Sequence, residues 1–189
     1  VPDPASMLRC PPCFRSMRAA LAGAVAALAL AGAALPARAQ AQPEAALKAR
    51  LTLSLTRFAQ WPEAPAGADL HLCLAQRDLP TAQAFAELDG QLVNGRRVKV
   101  VKVPPVAGCH VLFVHASAER VPDLVRAAGA GTGAVLIVGD AEGLLAQGGM
   151  VELVAVDDAI RFDIHTGALR RARLSLSSQV LKLARQVRE

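Results

Sequence analysis

Two short and almost wholly apolar segments limit the fold of this chain more than any other feature. Residues 109–115 (CHVLFVH) and 134–138 (AVLIV) have the length of strands, and neither shows a polar face. The segment between them, residues 122–128, has the pattern of a short helix. Strands that are apolar on both faces need helices on both sides, and the strand, helix, strand order favours parallel pairing through right-handed crossovers. The sequence therefore predicts an α/β domain.

An amphipathic first helix is predicted over residues 44–60. Apolar residues recur there at helical spacing, namely Leu47, Leu51, Leu55 and Phe58. The helix should end before Pro62, because the residue that precedes a proline avoids the α region.

The remaining segments complete a single three-layer domain. Strands are predicted at 69–75, 97–103, 150–156 and 160–165, and helices at 81–88, near 141–146, and after Ser178, where Val180, Leu183, Ala184 and Val187 share one face. A serine at the start of the last helix should cap it. We expect a mixed, mostly parallel sheet with a C-terminal antiparallel hairpin and flanking helices.

The N-terminal residues have the order of a cleavable signal peptide. Arg15 and Arg18 precede the apolar run 19–35, and the small-residue site Ala-Arg-Ala follows at 37–39. A retained membrane anchor is the alternative, but a run of this length that is rich in Ala and Gly is marginal for a spanning helix. We expect residues 1–39 to be removed and residues 40–189 to form the domain, which would work in the periplasm.

The charge of the chain belongs largely to this leader. The chain has 21 basic and 16 acidic residues, of which residues 1–39 hold four arginines and one aspartate, so 17 and 15 remain and the mature net charge is +2. With no tyrosine and one tryptophan, the chain lacks the basic face and stacking aromatics of nucleic-acid binding. The given sequence opens with Val1 instead of Met, and we expect translation to start at Met7 or Met17.

Eight motifs in order resemble the YfiR-like family of exported bacterial proteins, and together they cover nearly all of the predicted domain. They are RFAQWP at 57–62, HLCLA at 71–75, NGRRVKV at 94–100, CHVLFV at 109–114, VLIVGDAEG at 135–143, GGMVEL at 148–153, RFDI at 161–164 and LSSQVLKLAR at 176–185.

The resemblance implies a non-catalytic periplasmic regulator. Such a protein would bind the periplasmic region of a membrane-bound diguanylate cyclase, repress it, and so limit cyclic di-GMP and biofilm formation. An outer-membrane lipoprotein that relieves the repression is a further partner that the resemblance allows, and a homodimer stays open. The alternative is a periplasmic small-molecule-binding protein that acts as a sensor for another partner.

Cys73 and Cys109 are the cysteines of the predicted mature domain. An even pair in an oxidising compartment favours a disulfide, which the resemblance also implies. The alternative is a metal site that adds His71 and His110. Adjacent residues of a strand point to opposite faces, so Cys109 and His110 cannot both face one ion, and we favour the disulfide.

Other family members can carry a second cysteine pair beside the Gly-Gly-Met turn. Leu145 and Glu152 stand at those positions here, so redox switching through that pair does not transfer. Cys10 and Cys13 have C-x-x-C spacing, but they lie ahead of the predicted mature chain and do not indicate an oxidoreductase.

No catalytic constellation or cofactor motif is evident, so we expect no enzyme activity, cofactor or metal. Asp163 and His165 share a strand face and could form a structural hydrogen bond, but no nucleophile motif accompanies them. Asp140 follows a buried strand and is interpreted as the N-cap of the short helix after it.

Two surfaces are candidates for binding. One is an apolar patch around the first helix. The other consists of polar groups in two places. The hydroxyls of Ser175 and Ser177 alternate with leucines beside an arginine-rich stretch at 170–173, for which a solvated helix end is the alternative, and Trp61 lies beside Arg57. A tryptophan beside an arginine suits an amphipathic ligand or an interface anchor, whereas core packing is the alternative.

Overall fold

The structure is a computed structural model. It describes residues 38–62, 68–103, 106–131, 134–157 and 159–189. The compact unit spans Gln40–Glu189. The predicted signal peptide falls almost wholly outside the described residues and stays a prediction. Within the described ranges, no helix combines the length and the apolar character needed to cross a bilayer.

Helices and strands alternate through most of the described chain. The helices are α1 (Arg38–Phe58), α2 (Leu79–Ala86), α3 (Val121–Ala130), α4 (Thr166–Arg171) and α5 (Ser178–Leu183). The strands are β1 (Ala59–Gln60), β2 (Leu70–Ala75), β3 (Leu92–Val93), β4 (Arg96–Lys102), β5 (Val111–Val114), β6 (Leu136–Gly139), β7 (Val151–Val156), β8 (Ala159–His165), β9 (Ser175–Leu176) and β10 (Gln186–Arg188).

One large sheet has the strand order β10-β8-β7-β6-β5-β2-β4-β3. Strands β4, β2, β5, β6 and β7 are parallel to one another, whereas β8 is antiparallel to β7 and β3 is antiparallel to β4. Strands β1 and β9 form a separate antiparallel ladder. The predicted α/β class, with a mostly parallel sheet and a C-terminal antiparallel hairpin, is confirmed.

Side chains of the central strands alternate between two buried layers. Leu72 and Leu74 join the core that α1 and α2 cover, whereas Cys73 and Ala75 join the core beneath α3. In the first core the rings of Phe85 and Phe113 pack with centroids 4.3 Å apart. Burial of a side chain of this kind stabilises the fold by about 1.5–3 kcal/mol. Because the sheet carries such side chains on both faces, it needs a helical layer on each side.

The predicted last helix is wrong beyond Leu183. Arg185 leaves the helical path, its N–H donates to the Phe162 carbonyl at 2.8 Å, and its guanidinium forms two hydrogen bonds with the buried Asp163 carboxylate. The chain then continues as β10 along β8. Pairing with the sheet overrides the helical periodicity, and Val187 is 48% exposed instead of sharing an apolar face. Asp163 therefore bonds Arg185, and the predicted contact with His165 is not among the hydrogen bonds of the described residues.

The predicted helix near 141–146 is also wrong, because this segment forms consecutive turns. The Glu152 carboxylate of β7 accepts the N–H groups of Gly143 and Leu145 at 3.2 and 3.0 Å, which satisfies these two donors without a helix. The Glu152 carboxylate thus links β7 to the turn at 143–145.

A disulfide joins Cys73 in β2 to Cys109 just before β5, with Cα atoms 5.8 Å apart. Both cysteines lie in the core beneath α3. Because their sulfur atoms are bonded to each other, the alternative of a metal held by these thiolates does not apply.

Reduction of this disulfide should destabilise the domain. The bridge spans a sequence separation of 36 residues, and the chain-entropy relation gives about 4 kcal/mol for such a loop. We expect the urea midpoint of the wild type to fall in dithiothreitol, by the shift that corresponds to this loss of free energy. The double variant Cys73→Ala/Cys109→Ala should start at that lower midpoint and should not respond to the reductant. A wild-type midpoint that ignores reduction would contradict a stabilising role.

Candidate functional site

The β1–β9 ladder brings the predicted binding segments together. Gln60 lies opposite Ser175 and Ala59 opposite Leu176. Arg57 lies in the last turn of α1, just before β1, and Trp61 comes directly after β1. Sequence reasoning thus selected two segments, 57–61 and 175–177, that are neighbours in the fold.

Most polar groups of these residues are already engaged within the protein. The Trp61 indole N–H donates to the Ala134 carbonyl at 3.0 Å, and Trp61 packs against the core. The Ser177 hydroxyl caps α5 by accepting the Val180 N–H, and the Ser175 hydroxyl donates to the Gln60 side chain at 3.1 Å. Arg57 has an exposed side chain. The ligand role of these residues stays a prediction, while the predicted serine cap of the last helix is confirmed at Ser177.

An open groove of about 300 Å³ runs between α1 and α2. Its floor is apolar and its rim is polar. The floor consists of Ala46, Ala49, Leu53, Ala84 and Leu88, and the rim of Arg50, Ser54, Glu87 and Gln91. We call this feature the α1–α2 groove. Small residues at the floor let another element approach the two helices closely.

Large apolar side chains lie exposed beside the groove. Leu47 is 47% and Phe58 43% exposed on α1, and Leu92, which follows the rim residue Gln91, is 63% exposed. Leu47, Ser54 and Phe58 are separated by seven and four residues, so they lie along one stripe of the helix. Leu47, Phe58 and Leu92 thus form a small exposed apolar face beside the groove. The binding role of the apolar patch expected around the first helix stays a prediction.

A cluster of charged groups fastens α1 to the carboxyl edge of the parallel sheet. The Lys48 ammonium lies 2.5 Å from the Asp140 carboxylate and 2.6 Å from the Glu44 carboxylate. The Lys48 and Asp140 side chains are only 12% and 7% exposed. Burial alone would lower the pKa of Lys48, but the hydrogen bonds and charges of the two carboxylates outweigh it and raise this pKa.

Asp140 reaches this position because a glycine precedes it. A Cβ at Gly139 would lie 2.1 Å from the Val114 carbonyl oxygen, so only glycine fits where β6 ends beside β5. Asp140 then accepts the Ala116 N–H at 2.9 Å. The predicted N-cap role of Asp140 is wrong, since no helix follows and its carboxylate bonds Ala116 and Lys48 instead.

Sequence reasoning also missed His115 and Ser117, which follow β5 at the same edge. The Ser117 hydroxyl is 2.8 Å from His115 Nδ1, and His115 Nε2 is 3.7 Å from the Asp140 carboxylate. The Ser117 oxygen accepts the Arg77 N–H as well. These contacts tie the loops after β2, β5 and β6 together. The H-x-S spacing after a buried strand was the available signal.

Two histidines, His71 and His110, lie together at the opposite end of β2. His110 Nδ1 accepts the His71 N–H at 3.1 Å, and the two rings meet edge to face. The buried Arg96 guanidinium donates nearby to the Ala68 and Asp69 carbonyls. Burial lowers the pKa of His110, and the positive charge of Arg96 and the neighbouring His71 lower it further.

The structure is a three-layer α/β domain with an open groove on one helical layer. In comparisons with known proteins, the family described as YfiR/HmsC-like matches residues 45–185. The chain belongs to this family, as its motifs had indicated. No curated protein matches it at a significant level.

Two solved structures share the fold. A conserved domain protein from Vibrio cholerae O1 biovar El Tor strain N16961 superposes with a TM-score of 0.52 at 10% identity, over 75% of this chain and 60% of that one. An ABC domain in complex with L-Trp from Streptococcus pneumonia gives 0.51 at 14% identity, over 74% and 60%. The chain thus spans about 60% of the length of each, and at these identities the likeness concerns the fold alone.

The Lys48–Asp140 pair should contribute measurably to stability. Lys48→Met leaves the Asp140 carboxylate buried beside only the Ala116 N–H and His115, so we expect the free energy of unfolding to fall by about 2–3 kcal/mol. Lys48→Arg, which keeps the charge, should lose less. The matched control is Arg126→Met, which breaks the exposed Arg126–Asp123 pair and should change the urea midpoint little. Equal losses for both methionine variants would contradict an anchoring role.

His110 should make stability fall in mild acid. Its pKa is depressed in the folded state, so the unfolded chain takes up the proton first, near the ordinary value of 6.5. Neutral His110 therefore makes its full contribution to the free energy of unfolding above about pH 7. This contribution is lost progressively as the pH falls below about 6.5. His110→Asn keeps an acceptor for the His71 N–H but cannot titrate, and it should flatten the decline in urea midpoint between pH 7 and pH 5. An unchanged slope in this variant would exclude the mechanism.

Proposed function

We propose that this protein is an exported, non-catalytic regulator that binds the periplasmic region of a membrane-bound diguanylate cyclase and holds that enzyme inactive. The family to which the chain belongs supports this class of function. The single observation that carries the proposal is the exposed apolar face of Leu47, Phe58 and Leu92 beside the α1–α2 groove. Exposed apolar side chains that lie together are a common mark of an interaction site.

Repression would follow from differential affinity. If the regulator binds an inactive conformation of the cyclase more tightly than the active one, it shifts the population toward the inactive form without any chemical step. The face is suited to this because the helix that carries Leu47 and Phe58 is held in place. Ala49 of α1 is buried in the core, and Lys48 fixes α1 to the sheet edge.

The alternative, a small-molecule sensor at Arg57, Trp61, Ser175 and Ser177, has weaker support. Its two segments do meet at the β1–β9 ladder. However, the indole N–H and the Ser177 hydroxyl are bonded within the protein, which leaves few free groups to orient a ligand. A saturable thermal shift with a metabolite, lost in Arg57→Ala, would favour this alternative.

Replacing exposed apolar residues of the face should abolish repression. Leu47→Arg and Phe58→Arg place a charge where the partner would bury apolar surface, so we expect at least a tenfold loss of affinity for the cyclase periplasmic region and a rise in cellular cyclic di-GMP to the level of a deletion strain. The matched control is Leu183→Arg on α5, a residue that is 73% exposed and should leave both measurements unchanged.

A gene deletion, made with and without the cyclase, tests the proposed function. Deleting the gene should raise cyclic di-GMP only while the diguanylate cyclase encoded beside it is present. Nucleotide levels that do not respond to the deletion would refute the proposed function. A loss of repression in Leu183→Arg but not in Leu47→Arg would place the interface elsewhere.

A further inference from the structure

We propose that one edge of the domain, formed by residues 161–189, binds the anionic surface of a phospholipid bilayer. The attraction is electrostatic, and two exposed apolar side chains add to it. This inference goes beyond the proposed function, because it concerns a lipid surface and holds whichever protein the chain regulates. Such binding would keep the regulator at the membrane in which a cyclase lies.

Charge is distributed unevenly along the predicted mature chain. Residues 40–160 contain 10 basic and 13 acidic residues, so their net charge is −3, whereas residues 161–189 contain 7 basic and 2 acidic residues and have a net charge of +5. A segregation of this kind is typical of chains that bind an anionic surface. The small mature total of +2 conceals it, and the expected lack of a basic face does not hold for this edge.

The fold gathers these residues at one end of the sheet. Strand β10 is the outermost strand and pairs with β8, and α4 contacts both β9 and β10. The Thr166 hydroxyl, at the start of α4, donates to the Arg188 carbonyl of β10 at 2.9 Å. Arg170 lies about 6 Å farther along the helix. We call the exposed cations of this end the basic edge, and they are Arg161, Arg170, Arg171, Arg173, Lys182, Arg185 and Arg188.

Few charges of the basic edge are neutralised within the protein. Among the residues that the structure describes, the Asp163 carboxylate pairs with Arg185, and the other six cations of the edge form no ion pair. Exposed cations elsewhere, such as Arg77 and Arg126, do have carboxylate partners. The positive potential of this end is therefore left to act on the surroundings.

The arginines at 170–173 are not explained by capping of α4. The carbonyl groups of Ala168, Leu169 and Arg170 accept the backbone N–H groups of residues 172, 174 and 173. The carbonyls of the last turn are thus already bonded, and they need no side-chain donor. A solvated helix end, the alternative for this stretch, does not require three arginines there.

Two exposed apolar side chains lie among the cations and favour a bilayer over an acidic protein or a nucleic acid. Leu183 is 73% and Val187 48% exposed, and cations of the basic edge stand at positions 182, 185 and 188. Apolar residues beside basic ones suit the boundary between lipid headgroups and acyl chains. Residues 161–189 contain no tyrosine or tryptophan, and their one phenylalanine, Phe162, is buried, so bases would find no ring to stack on. Leu183→Arg keeps the positive sign of the edge, so it remains a control for repression.

Binding of the purified protein to lipid vesicles tests the inference. The probe is a vesicle of phosphatidylethanolamine and phosphatidylglycerol, and vesicles of phosphatidylcholine alone provide the uncharged comparison. The wild type should bind the anionic vesicles and not the neutral ones, and high salt should release it. Arg170→Glu/Arg171→Glu should lower the partition coefficient at least tenfold, because each basic residue near such a surface contributes about fivefold.

The matched control is Arg50→Glu/Lys102→Glu. It changes the net charge by the same amount at exposed positions of α1 and β4, outside the basic edge, and it should bind anionic vesicles nearly as well as the wild type. Because all four substituted positions are exposed, both double variants should keep the urea midpoint of the wild type.

The outcomes decide between a lipid surface and other partners. A wild type that ignores anionic vesicles, a double arginine variant that still binds them, or equal losses in the two double variants would each overturn the inference. If the wild type bound no vesicles while Arg170→Glu/Arg171→Glu lost affinity for the cyclase periplasmic region, the edge would meet an acidic protein, which also overturns it. Edge-dependent vesicle binding by a protein whose deletion leaves cyclic di-GMP unchanged would support this inference and refute only the proposed function.

Discussion

The central strands have two apolar faces, and the rest of the structure depends on covering both of them. Leu72 and Cys73 are neighbours in β2, yet they belong to different cores, one beneath α1 and α2 and the other beneath α3. A sheet of this kind cannot leave either side in water. Helices α2 and α3 come with the connections between strands, so their positions follow from the crossovers. Helix α1 connects no two strands of the large sheet and needs contacts of its own to hold it.

Those contacts explain where the α1–α2 groove lies. Near its middle α1 is held by Lys48 to the Asp140 carboxylate at the sheet edge, and at its C-terminal end the chain passes directly into the β1–β9 ladder. Between these two fixed points α1 crosses the sheet beside α2 with alanines on the facing sides. The groove is therefore a consequence of packing a long N-terminal helix next to a short crossover helix. Its shape is set by the core and by the anchors, which is why a partner would meet a preformed surface.

Hydrophobic periodicity predicted the strands and the layer order well, because burial on two faces leaves a clear pattern in β2, β5 and β6. It failed where tertiary contacts decide. The last helix stops early because Arg185 bonds Asp163, 22 residues away, and the two-residue strands β1 and β9 are too short to carry a pattern. The groove was out of reach for the same reason. Leu47 and Leu55 belong to one apolar series in the sequence, yet Leu47 is 47% exposed and Leu55 2%, because the side of α1 that packs on the core also carries alanines and threonines that the series left out.

The covalent chemistry of the domain also limits how it can be regulated. In the part of the chain that the structure describes, the cysteines are Cys73 and Cys109, and both are buried within one disulfide. Glu152 links β7 to the turn at 143–145 through hydrogen bonds, and a carboxylate does not respond to thiols. Reduction of the remaining bridge would loosen the core beneath α3, on the opposite side of the sheet from the groove.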